Sequence, residues 1–423
     1  MQKLNVFYDN LLVGTLTRNH DLIYSFAYDE DWVFHSRAFP ISLALPLSTE
    51  AYSNKPTLAF FENLLPEGEV RRTLERHEKI ASTFDFLKKF GKDCAGALII
   101  TPEAHNNAAS RSLGIGEEID LEKIDAAIDQ HQSVAEVLVD MDHGYLSLAG
   151  AQDKFPAIYK DGKLFIPQGT TPTTHIIKAP IWRSGVRESV VNEYYCMELA
   201  RAVGLPVPRC DMIGRRHPLF IIDRYDREIS SEGVVKRLHQ QDFCQAQGIP
   251  SEQKYEDKGG PSLKDNYGLI LTQTPARSRL KNINLYLDWI CFNLIIGNND
   301  SHSKNISLLM RGVTSELSPL YDLICTAIYP KLTKQFSFRI GDRNEFSKIG
   351  KNQIFLLEDE IAVKRGTFQK RLFNMSEFIR ENKDKVAKET LERDRGIKII
   401  PRINDLIDDR IKSLRFQGAL TIR

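Results

Sequence analysis

Apolar and polar residues alternate over the first thirty positions, which predicts strands over Lys3 to Tyr8, Leu12 to Leu16 and Leu22 to Tyr28, with Asp9-Asn10 as the first turn. From Thr57 the apolar spacing becomes helical through LAFFENLLPEGEVRRTLERH, and Pro66 is expected to kink that helix or begin a new one. A helical piece around Phe84 to Phe90 precedes a strand over Gly96 to Thr101. Residues 103 to 120 are polar, contain glycine and have no strong period, so they read as a loop, and the first domain ends there.

A helical pattern over Leu121 to Val139 then makes a bridge, taken as residues 121–144. Strands Phe155 to Tyr159 and Lys163 to Pro167 flank Asp161-Gly162, a hairpin signal because both central positions tolerate positive φ. Strands over His175 to Lys178 and Leu219 to Asp223 enclose an amphipathic helix, Val190 to Val203. From about Gln240 helices dominate: Leu280 to Ile296, Gln353 to Val363, Phe368 to Asn382 and Ile399 to Leu414. The fold class is α+β, with a β-rich and helical domain over 1–120 and a second domain over 145–423, whose small lobe runs to about 239 and whose helical lobe covers 240–423.

At 423 residues the chain can bury a sizeable core. Lys+Arg 57 against Asp+Glu 56 gives a net charge of +1, so any nucleic-acid contact has to be local. The six cysteines are scattered without a C-x-x-C pair, which indicates neither a zinc site nor a disulfide framework. The opening MQKLNVFYDN has no apolar signal core and no apolar run reaches spanning length, so a soluble cytoplasmic protein is expected.

The chemistry concentrates in NNDSHSKN, residues 298 to 305, directly after the apolar run Leu285 to Ile296. Such residues alone form ordinary turns, but the end of a buried helix is a rigid platform for them. Asp300 can take the proton of an attacking hydroxyl, while Asn305, five residues on, can hold a metal. Asp322 in PLYD supplies a second metal-binding carboxylate, which makes this a phosphoryl-transfer arrangement. In LSLAGAQDK the small residues Ala149, Gly150 and Ala151 would let backbone amides approach phosphate, although no Walker A motif occurs. Lys178 ends the β-branched run TTHIIK, where a strand lysine can meet nucleotide phosphates, and Glu193 is offered as the partner that would orient it.

In order along the chain, FFENLLPEGEVRR, GKDCAGALIITP, LAGAQDK, TPTTHIIKAP, VNEYYC, DRYDR, NNDSHSKN and PLYD resemble the HipA-type serine/threonine kinase toxins of bacterial toxin–antitoxin pairs. The resemblance implies a two-lobed, protein-kinase-like second domain that uses ATP and magnesium. It makes Asp300 the catalytic base, Asn305 and Asp322 the magnesium ligands, and Lys178 a contact to the ATP phosphates. The segment Ala149, Gly150, Ala151, Gln152, Asp153 and Lys154 becomes the phosphate-facing loop, with His302, Lys304 and Tyr321 near the nucleotide. The backbones of Asp223 and Tyr225 would meet the adenine edge, and Asp226 would lie near the ribose.

The resemblance also implies autophosphorylation at Ser147, which would expel the loop and end ATP binding. It implies a HipB-like helix-turn-helix antitoxin, operator DNA reached mainly through that antitoxin, and glutamyl-tRNA synthetase as a protein substrate. Where the best-known member offers basic groups to DNA, this chain has FLLEDEIAVKRG, acidic at Glu358, Asp359 and Glu360, which puts direct DNA contact in doubt. A small-molecule kinase with the same centre, and a catalytically silent antitoxin and DNA partner, remain alternatives.

Overall fold

The computed structural model describes residues 1–104, 114–140, 152–168, 171–311, 314–394 and 396–421. The chain forms two compact units, Met1–Ala179 with Ile213–Ser251 and Ser307–Thr314, and Pro180–Met212 with Glu252–Ile306 and Ser315–Arg423.

The first unit opens with an antiparallel sheet in the order Tyr24–Tyr28, Leu11–Arg18, Gln2–Tyr8, Leu98–Thr101. Leu4, Val6, Val13, Leu16 and Phe26 are buried on it, as the alternation requires, against Phe60, Phe61, Phe86 and Phe90 of the following helices. Those helices are Asn54–Glu62, Gly68–Glu78 and Thr83–Phe90, and the break between the first two contains Pro66. Between residues 121 and 140 lie two helices, Leu121–Asp129 and Val134–Asp140, parted at His131 with φ +59°.

A second sheet runs Ile115–Glu118, Lys163–Pro167, Lys154–Lys160, His175–Lys178, Leu219–Asp223. Its hairpin turns at Asp161 and Gly162, both at positive φ (+50° and +79°). The strand Ile115–Glu118 corrects the expected loop over 103–120. It is an edge strand whose pairing with Pro167 and Phe165 supplies what its sequence lacks in strand propensity.

A buried ionic cluster stands in this unit. Asp93 meets Arg224 (3.2 Å), Arg227 (2.9 Å) and Arg237 (3.3 Å), and Asp226 meets Arg224 (2.9 Å) and Arg227 (3.1 Å). Burial by itself would raise the Asp93 carboxyl, but the three guanidinium groups outweigh it and hold that carboxyl well below the usual carboxylate range.

The second unit is helical, with Ser189–Ala202, Leu263–Gln273, Ala276–Ile296, Lys351–Glu360, Thr367–Leu391 and Ile399–Phe416. Ala276–Ile296 is its centre: Trp289, Ile290, Cys291 and Phe292 are wholly buried, and Trp289 stacks on Tyr286 at 5.8 Å. The helix stops at Gly297, which is left-handed (φ +78°), and a Cβ there would come within 2.9 Å of the Ala327 side chain. Of the six cysteines, all but the half-buried Cys210 are buried. Among the described residues no helix is long and apolar enough to cross a membrane.

Candidate active site

Residues 298–305 leave the end of the buried helix, and in that loop only Asp300 is exposed. Its side chain is 51% accessible, whereas Asn298, Ser301 and Ser303 are at 1% or below. The loop therefore presents a single carboxylate from a rigid base. Asn298 ties the parts together: its Oδ1 accepts from the Asp300 amide (3.2 Å), and its Nδ2 donates to the Asp322 carbonyl (3.0 Å) and to Asn293 Oδ1 (2.8 Å). The Asn299 amide donates to Thr326 Oγ1 (2.8 Å), and the Asn299 carbonyl accepts from Ser337 Oγ (2.7 Å). Asn192 holds the Asp322 segment further along, through both backbone groups of Cys325.

Asn305 Nδ2 donates to the Asp300 carbonyl at 2.8 Å, and this orients the amide so that Oδ1 is its remaining metal-binding atom. Asp322 has φ +53°, an uncommon backbone state for a residue with a side chain and one that recurs at functional sites. His302 and Lys304 are buried beside them, and the Tyr321 hydroxyl donates to the Lys304 carbonyl (2.9 Å). The structure thus gathers Asp300, His302, Lys304, Asn305, Tyr321 and Asp322 within one unit. Among the described residues no group of three or more His, Cys, Asp or Glu could hold a metal ion. Asn305 and Asp322 carry oxygen atoms of the kind that hard cations take as ligands.

The first unit holds the other candidates. Lys154 and Lys178 are direct cross-strand partners, so their side chains leave one face of the sheet side by side. Lys178 is buried and its ammonium lies 5.7 Å from the Phe220 ring centroid. Gln152 Nε2 donates to the Ala179 carbonyl (2.9 Å). Asp223 Oδ1 pairs with His175 Nε2 (3.0 Å), and the Tyr225 hydroxyl donates to Gln240 Oε1. Lys178 lies in the first unit and Glu193 in the second.

Two expected contacts are redirected. Asp153 accepts from Ser133 Oγ (3.0 Å) and from the amides of Val134 (2.6 Å) and Ala135 (3.3 Å), so it caps the helix Val134–Asp140 instead of facing phosphate. Burial pushes its carboxyl up. Asp226 gives both oxygens to framework donors, Arg224 Nε (3.0 Å) at Oδ1 and the Gly96 amide (2.7 Å) at Oδ2, and is buried instead of lying at a ribose edge. Ser147, Ala149, Gly150 and Ala151 lie outside the described residues. Two residues of the site carry no sequence signal: Asn298, an ordinary loop residue by type, and Tyr255, 45 residues before Asp300, whose hydroxyl donates to Asp300 Oδ1.

Comparison with known proteins decides the family. A family model described as the HipA-like C-terminal domain matches residues 146–390, and one for the HipA N-terminal domain matches residues 4–101. The Sinorhizobium fredii protein named putative kinase Y4mE is 35% identical over 396 residues, 92% of each chain. The chain belongs to the HipA family. Another HipA relative, the serine/threonine-protein kinase toxin HipA of Shewanella oneidensis, is 28% identical over 375 residues, covering 86% of this chain and 84% of that one. A chain in the solved complex of the Shewanella oneidensis MR-1 toxin–antitoxin system, HipA, HipB and its operator DNA, matches with a TM-score of 0.83 and 24% identity over 98% of both chains. That likeness shows the shared kinase-like HipA fold of mixed helix and strand. At the coarse level of the HipA family the chain is a kinase of the toxin type.

Proposed function

We propose that this chain is an ATP-dependent serine/threonine protein kinase, the toxin of a toxin–antitoxin pair, acting on a translation component with glutamyl-tRNA synthetase first among those to test. The observation that carries the chemistry is Asp300, the lone exposed residue of a buried loop, joined through Asn298 to the segment of Asp322. Asp300 takes the proton from the acceptor hydroxyl. Asn305 and Asp322 would hold magnesium, which when bound supplies charge neutralisation for the phosphates. Lys154 and Lys178, cross-strand partners on one face of the sheet, would supply the positive charge that meets the phosphates of the donor. The remaining nucleotide contacts, from Gln152, the backbones of Asp223 and Tyr225, His302, Lys304 and Tyr321, follow the HipA resemblance. So does the division into modules over 1–120, 121–144 and 145–423.

Self-inactivation is proposed at Ser147. Phosphate there adds about −1.5 to −2 charges beside the donor phosphates and disfavours the closed loop. Incubated with magnesium-ATP and digested for mass spectrometry, the wild-type chain gains phosphate at Ser147 and then loses ATP affinity, and chelation by EDTA prevents both. Phosphate only elsewhere, or ATP affinity unchanged after Ser147 is modified, rejects the switch.

The partners proposed are a HipB-like antitoxin and, through it, operator DNA, as in the matched Shewanella complex. Two of the three acidic residues in the run that put direct DNA contact in doubt, Glu358 and Asp359, are engaged within the fold. Glu358 is fully buried and accepts from the amides of Gly366 (2.7 Å), Phe368 (2.7 Å) and Gln369 (3.0 Å), while Asp359 pairs with Arg365 at 2.6 Å. Beside the run lies a hollow of about 740 Å³ lined by Lys351, Lys364 and Lys370, with Arg365 and Arg371 paired to Asp359 and Asp288. Lys364→Glu with Lys370→Glu is expected to weaken operator binding by the antitoxin complex and to reduce the log–log salt slope by about 2. An unchanged slope rejects phosphate contact by this face.

A further inference from the structure

The loop KYEDKGG, residues 254–260, carries no recognisable motif, yet its Tyr255 touches the Asp300 carboxylate. It is held on several sides. The Tyr255 carbonyl accepts from the amides of Lys258 (3.0 Å) and Gly260 (2.9 Å), and Glu256 Oε2 accepts from the Arg339 amide (2.8 Å). Gly260 is enforced, because a Cβ there would meet the Gln253 carbonyl oxygen at 2.0 Å. From this frame the Tyr255 ring packs edge-on against His302 (5.0 Å, 87°), and its hydroxyl donates to Asp300 Oδ1. His302 Nε2 lies 4.0 Å from the same oxygen.

Every described contact of the Asp300 carboxylate is made by Oδ1. An exposed carboxylate at a loop tip turns freely about its side-chain bonds, and proton transfer needs one oxygen within hydrogen-bond reach of the acceptor hydroxyl. We propose that Tyr255 is a positioning residue of the kinase reaction: it anchors Asp300 Oδ1 and so presents Oδ2 to the serine or threonine hydroxyl of the substrate. In the step it supports, the acceptor O–H proton passes to Oδ2 and the acceptor oxygen bonds to the γ-phosphorus of ATP. The bond from that phosphorus to the β,γ-bridging oxygen breaks with its electron pair, leaving ADP. The proton on Asp300 is then lost to water. The proposal rests on the reading of Asp300 as the proton acceptor.

The test measures the initial rate of label transfer from γ-labelled ATP into acid-precipitable protein, with the full chain and a bacterial lysate as acceptor. Tyr255→Phe keeps the ring and its packing but removes the hydroxyl. Its rate at saturating ATP is expected to fall about 10- to 100-fold through misplacement of the base, while the half-saturating ATP concentration and the melting temperature stay as in the wild type. In an Asp300→Asn background the same change is expected to cause no further loss. A wild-type rate in Tyr255→Phe beside a crippled Asp300→Asn overturns the positioning role alone, as does an equal loss in both backgrounds. A near-wild-type rate in Asp300→Asn overturns the base assignment, and the positioning role with it.

Discussion

Asp300→Ala is expected to lower the rate of phosphoryl transfer by about a hundredfold to ten-thousandfold, the usual worth of a positioned general base. ATP affinity and thermal stability are expected to stay near those of the wild type. The reason is in the burial of its loop: Asp300 is exposed and its side chain supports no core, whereas its neighbours Asn298, Asn299 and Ser301 carry the hydrogen bonds that hold the loop. Purified variant and wild type compared for label transfer, nucleotide binding and melting temperature check all three parts. A variant that melts early would make Asp300 a structural residue.

The largest expected effect on stability lies far from that loop in sequence, at Asp93. Its carboxylate is fully buried among Arg224, Arg227 and Arg237, and Thr173 adds its amide at 3.2 Å and its hydroxyl. Asp93→Ala leaves Arg224 and Arg227 with Asp226 alone and removes the carboxylate that Arg237 meets, and breaking a buried pair in this way costs about 3–5 kcal/mol. A fall in melting temperature on the order of 10 °C follows for a unit of this size. The pH dependence has a definite sign. Because the folded carboxyl sits below its unfolded value, its stabilisation is fully present above about pH 4 and fades as acid protonates the folded form. The gap in melting temperature between wild type and Asp93→Asn is therefore expected to narrow from pH 6 toward pH 2. A gap that is constant, or that widens in acid, contradicts the ionic account of this cluster.

Local rules made much of the fold legible in the sequence. The Asp161-Gly162 turn, the break at Pro66 and the helix ending before Gly297 follow from backbone preferences that act within a few residues. Helix lengths were less legible: the helix expected over Phe368 to Asn382 runs as Thr367–Leu391, because Val386, Ala387 and Thr390 bury one face of an otherwise polar stretch. The strand Ile115–Glu118 was hidden for a related reason, since its pairing partner lies some fifty residues away in the chain. In the candidate site, the loop 298–305 and Asp322 stood out by residue type and spacing. Asp153 and Asp226 were named only through the family resemblance, and the structure shows that one caps a helix and the other closes an ion cluster. Tyr255 and Asn298 gave no signal, because their roles depend on the approach of segments that sequence spacing does not encode.

Transfer of label from γ-labelled ATP in a cell lysate, with each labelled species identified, tests the protein-kinase reading most directly. The wild-type chain with magnesium is expected to place phosphate on serine or threonine of a translation protein, and the Asp300→Ala chain is expected to place at least about a hundredfold less in the same time. Label that appears only on a metabolite, or equally with both chains, would contradict it.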